Sequence, residues 1–270
     1  MEKQKIHLTQ EKETLLVPLL SKAFESQKPH PILVDHKAEE ILTGIDYDFN
    51  ELHVPKQTLV TLAMRAKKLD SCVRDYLART ENPLVIHLGC GLDSRILRVE
   101  SHKGSWYDLD YPDVIELRRN FFRETDHYRM IASSVTDHRW LERIKENGPA
   151  CIIAEGLLMY LREEEVRRLF VDLQARLPGS EIAFDAYSKL TARGANNHPS
   201  IKKTGALIHW GLDDAKQIVT WVKDARLLEE WYFTDSEDIS TLGFRDRLLF
   251  RFMGLLGAAK KAHRILRFRL

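Results

Sequence analysis

Three cysteines in 270 residues are too few for a disulfide framework, and Cys72, Cys90 and Cys151 lie far apart without metal-ligand spacing. Reduced thiols in a reducing compartment are the expectation, and no metal site. Charge of one sign is also missing, since the formal net charge is +1. That removes any global electrostatic case for nucleic acid or an acidic surface as partner. No apolar stretch reaches the ~18 residues of a membrane span. The opening "MEKQKIHLTQEKET" lacks the apolar core of a secretion signal. Repeats, low-complexity tracts and Gly/Ser linkers are absent too. The chain therefore reads as a cytoplasmic protein with no membrane and no nucleic acid partner. Its composition, 44% hydrophobic and 30% charged, is ordinary for a globular protein with a substantial core.

Two grammars follow one another along the chain. Residues 9–80 read as helical. In "PKQTLVTLAMRAKKLDSCVRDYL" the residues Leu59, Leu62, Ala66, Leu69, Val73 and Leu77 recur at three- and four-residue spacing and make one apolar face. Pro55 suits the start of that helix. From residue 83 short apolar runs alternate with helical segments. The runs are "PLVIHLG", "GSWYDLD", "YRMIASSV", "ACIIAEGLLMY" and "EIAFDAY"; the helices are "DVIELRRNFFRE", "WLERIKEN" and "EEEVRRLFVDLQARL". Such alternation implies right-handed crossovers and a mostly parallel sheet covered on both faces. Beyond residue 190 the signal weakens to one helix, "DDAKQIVTWVKDA", and two late strands, "RLLEEWYF" and "HRILRFRL". The last is basic, and its alternation of apolar residues with arginine fits a terminal strand with one solvated edge. The expectation is an α/β domain over 81–270 with a helical N-terminal extension over 1–80.

Ligands of an open parallel sheet bind beyond the carboxyl ends of its strands. The first strand ends in "HLGCGLDSR". Gly89 and Gly91 permit a tight turn and close backbone approach. Ser94 stands where a dinucleotide fingerprint would carry its third glycine, and no Gly-Lys-Ser follows. The second strand ends at Asp110, about 20 residues past Gly89, where an acid can accept both hydroxyls of a ribose. Asp108 shares its side of the strand and is the rival. Asp110 is preferred because it sits at the strand end, before the Tyr111-Pro112 break, although it could instead cap the helix that follows. Together these features specify an adenosine-type ligand.

"HLGCGLDSR", "WYDLDYPDVIELRR" and "IAEGLLMYL" resemble the leucine carboxyl methyltransferase family, in a bacterial branch of polyketide O-methyltransferases. The resemblance implies a class I Rossmann-like methyltransferase fold, with a seven-stranded sheet whose last strand runs antiparallel. It implies S-adenosyl-L-methionine as cofactor. It places Gly89, Cys90 and Gly91 beside the methionine portion, Asp110 on the ribose, and Ser134 and Val135 on the adenine, with Asp137 supporting that loop. Glu155 falls near the cofactor amino group, and Arg65 meets the cofactor carboxylate through a two-pronged guanidinium. Lys22 joins them by a looser match. Many methyltransferases carry an acid two residues before the first glycine, where this chain has His87.

The implied reaction is O-methylation of a small-molecule, polyketide-like acceptor, with the family's carboxylate acceptors favouring a carboxylate over a hydroxyl. A carboxylate is ionised at neutral pH and needs no general base, whereas a phenol benefits from one. No residue declares itself catalytic. Tyr160 and Tyr187 lie near strand ends, and His209 and Trp210 in "LIHWG" follow the core strands; these are the candidates for the acceptor pocket. The competing activities are a protein carboxyl methyltransferase, a nicotinamide-dependent oxidoreductase, and a cofactor-binding protein without turnover. The second would want the third glycine and a Tyr-x-x-x-Lys, which the chain lacks.

Overall fold

In the computed structural model, residues 4–5, 10–197 and 199–270 are described. Seven strands form one sheet: β1 (Leu84–Leu88), β2 (Ser105–Asp110), β3 (Tyr128–Ala132), β4 (Cys151–Ala154), β5 (Glu181–Tyr187), β6 (Arg226–Tyr232) and β7 (His263–Arg269). Their order is β3-β2-β1-β4-β5-β7-β6, with β1 to β5 parallel and β7 antiparallel to both neighbours. The chain runs outward from β1 to β3 and then returns to β4 on the other side of β1. The crevice of a doubly wound sheet opens at that reversal.

The pleat of β1 shows how the sequence builds both layers. Leu84, Ile86 and Leu88 face one core and Val85 the other. The first core is closed by Val166, Leu169, Phe170 and Leu173 of α4 (Glu163–Arg176). The second is closed by the N-terminal helices α1 (Leu16–Ser26), α2 (His36–Gly44) and α3 (Lys56–Arg79). Leu69, Cys72, Val73 and Tyr76 of α3 pack in the same core as Val85, Cys151, Ile153 and Ala183. The second half of α3 is thus a wall of the sheet's own core.

Several expectations are adjusted. The helical reading of 9–80 resolves into three α-helices and two 3-10 helices, Gln10–Leu15 and Phe49–Leu52, with residues 27–35, 45–48 and 53–55 outside any helix; residue 9 lies outside the described residues. "WLERIKEN" is not an α-helix: His138–Arg143 form a 3-10 turn capped by the Asp137 side chain. "HRILRFRL" is not at a solvated edge. β7 lies between β5 and β6, with Arg264 fully buried and Arg267 and Arg269 paired to Glu181; β6 is the edge. Helix α5 (Phe244–Leu255) has no counterpart in the sequence reading. No helix among the described residues is long and apolar enough to cross a membrane. No group of three or more His, Cys, Asp or Glu side chains among them is placed to hold a metal ion.

Candidate active site

A cavity of about 780 Å3 opens at the carboxyl ends of β1, β2, β4 and β5. Its wall gathers Lys22, Arg65, Gly89, Cys90, Gly91, Asp110 and Glu155 with Tyr160, Tyr187 and His209. Side chains named from strand ends and from helices far apart in sequence thus meet at one place. Ser134 and Val135 do not line it. Ser134 Oγ shares a hydrogen bond with Thr136 Oγ1 at 2.8 Å, and Val135 packs in the core with Trp140. Asp137 binds Arg139 and caps the turn that follows. Trp210 is also core, against Phe184 and Trp221.

The glycine turn is fixed by its neighbours. Gly89 and Gly91 have φ of +61° and +50°, a region that L side chains rarely adopt. A Cβ on Gly89 would meet Leu157 at 2.9 Å, and one on Gly91 would meet Leu15 at 3.3 Å. The turn is tied to β2 through Asp110. Its Oδ2 accepts the Gly91 N–H at 2.7 Å and its Oδ1 the Tyr111 N–H at 2.8 Å. Burial pushes this carboxyl up to about 6, against the pull of those two hydrogen bonds. The remaining lone pairs of a carboxylate are available to further donors.

Asp108 has a different setting. It is wholly buried and absent from the cavity wall. It accepts from Arg118 Nη2 at 2.5 Å, the Tyr128 hydroxyl at 2.7 Å and the Trp106 indole at 2.7 Å. Despite the burial that opposes ionisation, Arg118 holds it down at about 2. Arg118 in turn donates from Nη1 to the Gly91 carbonyl at 3.0 Å, so Asp108 braces the turn from beneath.

The other side of the cavity is a buried charge network. Arg65 donates from Nε to Glu155 Oε1 at 3.0 Å and from Nη1 to Asp185 Oδ2 at 2.9 Å. Two edges of its fork are therefore engaged with protein acids, and only Nη2 remains, beside Gly156. The two-pronged grip on a ligand carboxylate that the sequence suggested is not open in this arrangement. Arg95 donates to Asp70 at 2.7 Å and to Glu155, and its Nη1 lies 3.1 Å from His87 Nε2. Burial lowers the His87 pKa, consistent with a neutral ring accepting from Arg95. Arg65 and Arg95 keep Glu155 ionised, at about 2, against its desolvation. Lys22 Nζ lies 3.7 Å from Asp93 Oδ2, and both are buried.

The sequence gave no role to two groups at this site. Asp93 belongs to the quoted glycine turn and lines the cavity. His263, the first residue of β7, also lines it and bonds to Asp185 across the antiparallel pairing of β5 with β7. Asp185 carries a strand-end signal; His263 carries none, because its partner lies 78 residues away.

The family model for leucine carboxyl methyltransferase matches residues 16–174. The chain is 36% identical to the tetracenomycin polyketide synthesis O-methyltransferase of Streptomyces glaucescens, over 97% of this chain and 98% of that one. It is 30% identical to an S-adenosyl-L-methionine-dependent methyltransferase of Gibberella zeae, over 86% and 85%. A solved structure of a duf574 family protein from Streptomyces avermitilis shares the fold at TM-score 0.57 and 12% identity, covering 93% of this chain and 96% of that one. An Archaeoglobus fulgidus S-adenosylmethionine-dependent methyltransferase does so at 0.50 and 12%, covering 80% and 100%. Sheet order, glycine turn, strand-end acids and the match over residues 16–174 agree: the chain belongs to the leucine carboxyl methyltransferase family.

Proposed function

We propose that the chain moves a methyl group from S-adenosylmethionine to an oxygen, carboxylate or hydroxyl, of a small polyketide-like acceptor. It is an S-adenosylmethionine-dependent O-methyltransferase. The observation that carries the cofactor reading is Asp110 beside the glycine turn, the one of three wall carboxylates bound by backbone N–H groups and paired with no cation among the described residues. Asp93, Asp110 and Glu155 all line the cavity there. Asp93 and Glu155 are balanced by Lys22, Arg65 and Arg95, so a pyrophosphate at the turn would face unbalanced Asp110, whereas ribose hydroxyls find an acceptor in it.

Asp110 holds the ribose hydroxyls and the glycine turn lets the backbone approach the ligand. Glu155 faces the ammonium, and Lys22 with Arg65 Nη2 faces the carboxylate. Tyr111 and Val114, which line the cavity beyond Asp110, take the adenine side in place of Ser134 and Val135. When bound, S-adenosylmethionine supplies a methyl group already activated by positive sulfur. The protein's task is to align the acceptor oxygen with that carbon and to exclude water. Tyr160, Tyr187 and His209 form the acceptor side together with apolar Leu207, Leu249 and Met253.

The extension acts as a lid in its first part. Lys12, Leu15, Pro18 and Lys22 form one wall of the cavity, and the other face of α1, with Leu16, Leu19, Leu20 and Ala23, packs in the same core as the second half of α3.

Labelled methyl transfer tests the acceptor class. The chain should label aromatic polyketide carboxylic acids or phenols and leave a peptide ending in a leucine carboxylate unlabelled. Labelling of the peptide alone would replace this reading with a protein carboxyl methyltransferase.

A further inference from the structure

The geometry points to helix α5 (Phe244–Leu255) as the element that docks this chain on the surface of an anionic lipid bilayer. One face of α5 is anchored. Phe250 is buried in a small core with Val60, Ala63 and Met64 of α3 and with Phe233. Gly254 lies against Thr234. One flank, Leu249 and Met253, lines the cavity. The outward face has no cover among the described residues: Phe244, Leu248, Phe252 and Leu255 are 73%, 58%, 58% and 82% exposed. At 3.6 residues per turn these four fall within about 80° of one another, so they make one stripe. Leu256, just past the helix, is exposed like them. A helix apolar on every side is ordinarily a buried one. Single exposed leucines need no cover, but a continuous stripe marks an interaction surface.

Charge decides among the occupants. Residues 243–262 hold five lysines and arginines and one acid, Asp246, in a chain whose formal net charge is +1. Around the helix Arg245 flanks the apolar stripe on one side and Arg251 on the other, and both are exposed. Arg245, Arg247 and Arg251 form no ion pair among the described residues. Lys260 is paired with Asp235 at 2.8 Å in a partly exposed contact, and Lys261 is exposed. A second copy of this chain would bring the same excess of cations face to face, with one acid per copy to offset it. An anionic headgroup layer neutralises that excess, and the acyl boundary beneath it takes the stripe. Arginine and lysine beside outward phenylalanine and leucine make an interfacial helix, which lies in the plane of a membrane and does not cross it.

Docking sets the rim of the cavity against the lipid. Leu249 is 44% exposed and also lines the cavity, so it stands at the rim beside the stripe. Leu207 is exposed on the cavity wall as well. Docking does not depend on the methyl-transfer reading, because the stripe and its arginines lie outside the groups assigned to cofactor and acceptor. It departs from the expectation of no membrane partner, which rested on the lack of a spanning segment; an interfacial helix needs none.

Flotation of the full chain with lipid vesicles tests this. Vesicles of phosphatidylcholine with phosphatidylglycerol should carry the protein, and vesicles of phosphatidylcholine alone should bind it at least about tenfold more weakly, since each basic residue near an anionic surface adds attraction. Binding should also weaken when added salt shortens the Debye length from about 10 Å to about 3 Å. The double variant Leu248→Glu, Phe252→Glu should bind at least about tenfold more weakly than wild type. Its urea midpoint should match wild type, because both side chains are exposed. A second variant, Arg245→Glu with Arg251→Glu, should lose the preference for phosphatidylglycerol. Undiminished binding by either variant, or equal binding to both kinds of vesicle, overturns the proposal. Failure of the wild type to bind vesicles overturns it too. In that case a wild-type dimer split by Leu248→Glu, Phe252→Glu would give the stripe to a second copy, and a wild-type monomer would give it to an acidic protein partner.

Discussion

Asp108 and Asp110 stand two residues apart on one strand and face the same side, yet their substitution should fail in opposite ways. Asp110→Ala is expected to weaken S-adenosylhomocysteine binding by about 2–4 kcal/mol through lost charge-assisted hydrogen bonds, with the fold intact. Asp108→Ala strands buried Arg118 and should cost roughly 3–5 kcal/mol of folding stability instead. Calorimetry and chemical denaturation on the two variants separate the effects; a silent Asp110→Ala would reverse the assignment. Because burial raises Asp110 to about 6, ligand binding to its ionised form should weaken below pH 6, approaching about tenfold per pH unit. An affinity flat from pH 7.5 to 5 would contradict that role. The sequence offered both acids and a reason to prefer the strand end. It could not show that Arg118 folds back under Asp108, because no local pattern records which guanidinium reaches which carboxylate. The same holds for Arg65, whose fork the sequence assigned to a ligand and the structure gives to Glu155 and Asp185.

At the scale of elements, α3 carries two jobs along one helix. Thr58, Thr61, Leu62 and Arg65 line the cavity, while Leu69, Val73 and Tyr76 belong to the sheet's core. Bound S-adenosylhomocysteine should therefore slow proteolysis most at sites within residues 10–15, the segment ahead of α1 whose Lys12 and Leu15 line the cavity, and leave cleavage rates after residue 66 unchanged, since ligand binding orders a covering segment more than helices already packed in a core. Uniform protection along the chain would argue against a separate lid. This helix was legible because its apolar period runs over six positions. The strands β1 to β5 were legible because buried parallel strands read as short apolar runs between turn signals. α5 was not legible: Phe244, Leu248, Phe252 and Leu255 are exposed, so its pattern does not separate a buried face from a wet one. β7 read as an edge strand because its arginines look solvated until Glu181 and Glu230 are placed beside them.

The whole molecule concentrates buried charge around one cavity, and its acid stability should show it. Glu155 and Asp108 are held at about 2, and Asp93 and Asp185 are also depressed. Depressed carboxyls bind fewer protons folded than unfolded, so stability falls as pH drops from about 4. His87 and His263 are depressed too, so the decline begins at about 6.5, where unfolded histidines take up protons. Asp110 alone opposes the trend between about 4 and 6. Urea midpoints at pH 7.5, 6 and 4.5 should therefore decrease in that order, and a midpoint that rises toward pH 4.5 would contradict the account. The central claim is that this cavity holds an adenosine with an amino-acid end and no phosphate. Isothermal titration with S-adenosylhomocysteine and with NAD tests it most directly. The account predicts one S-adenosylhomocysteine bound per chain and no heat from NAD; binding of NAD without response to S-adenosylhomocysteine would contradict it.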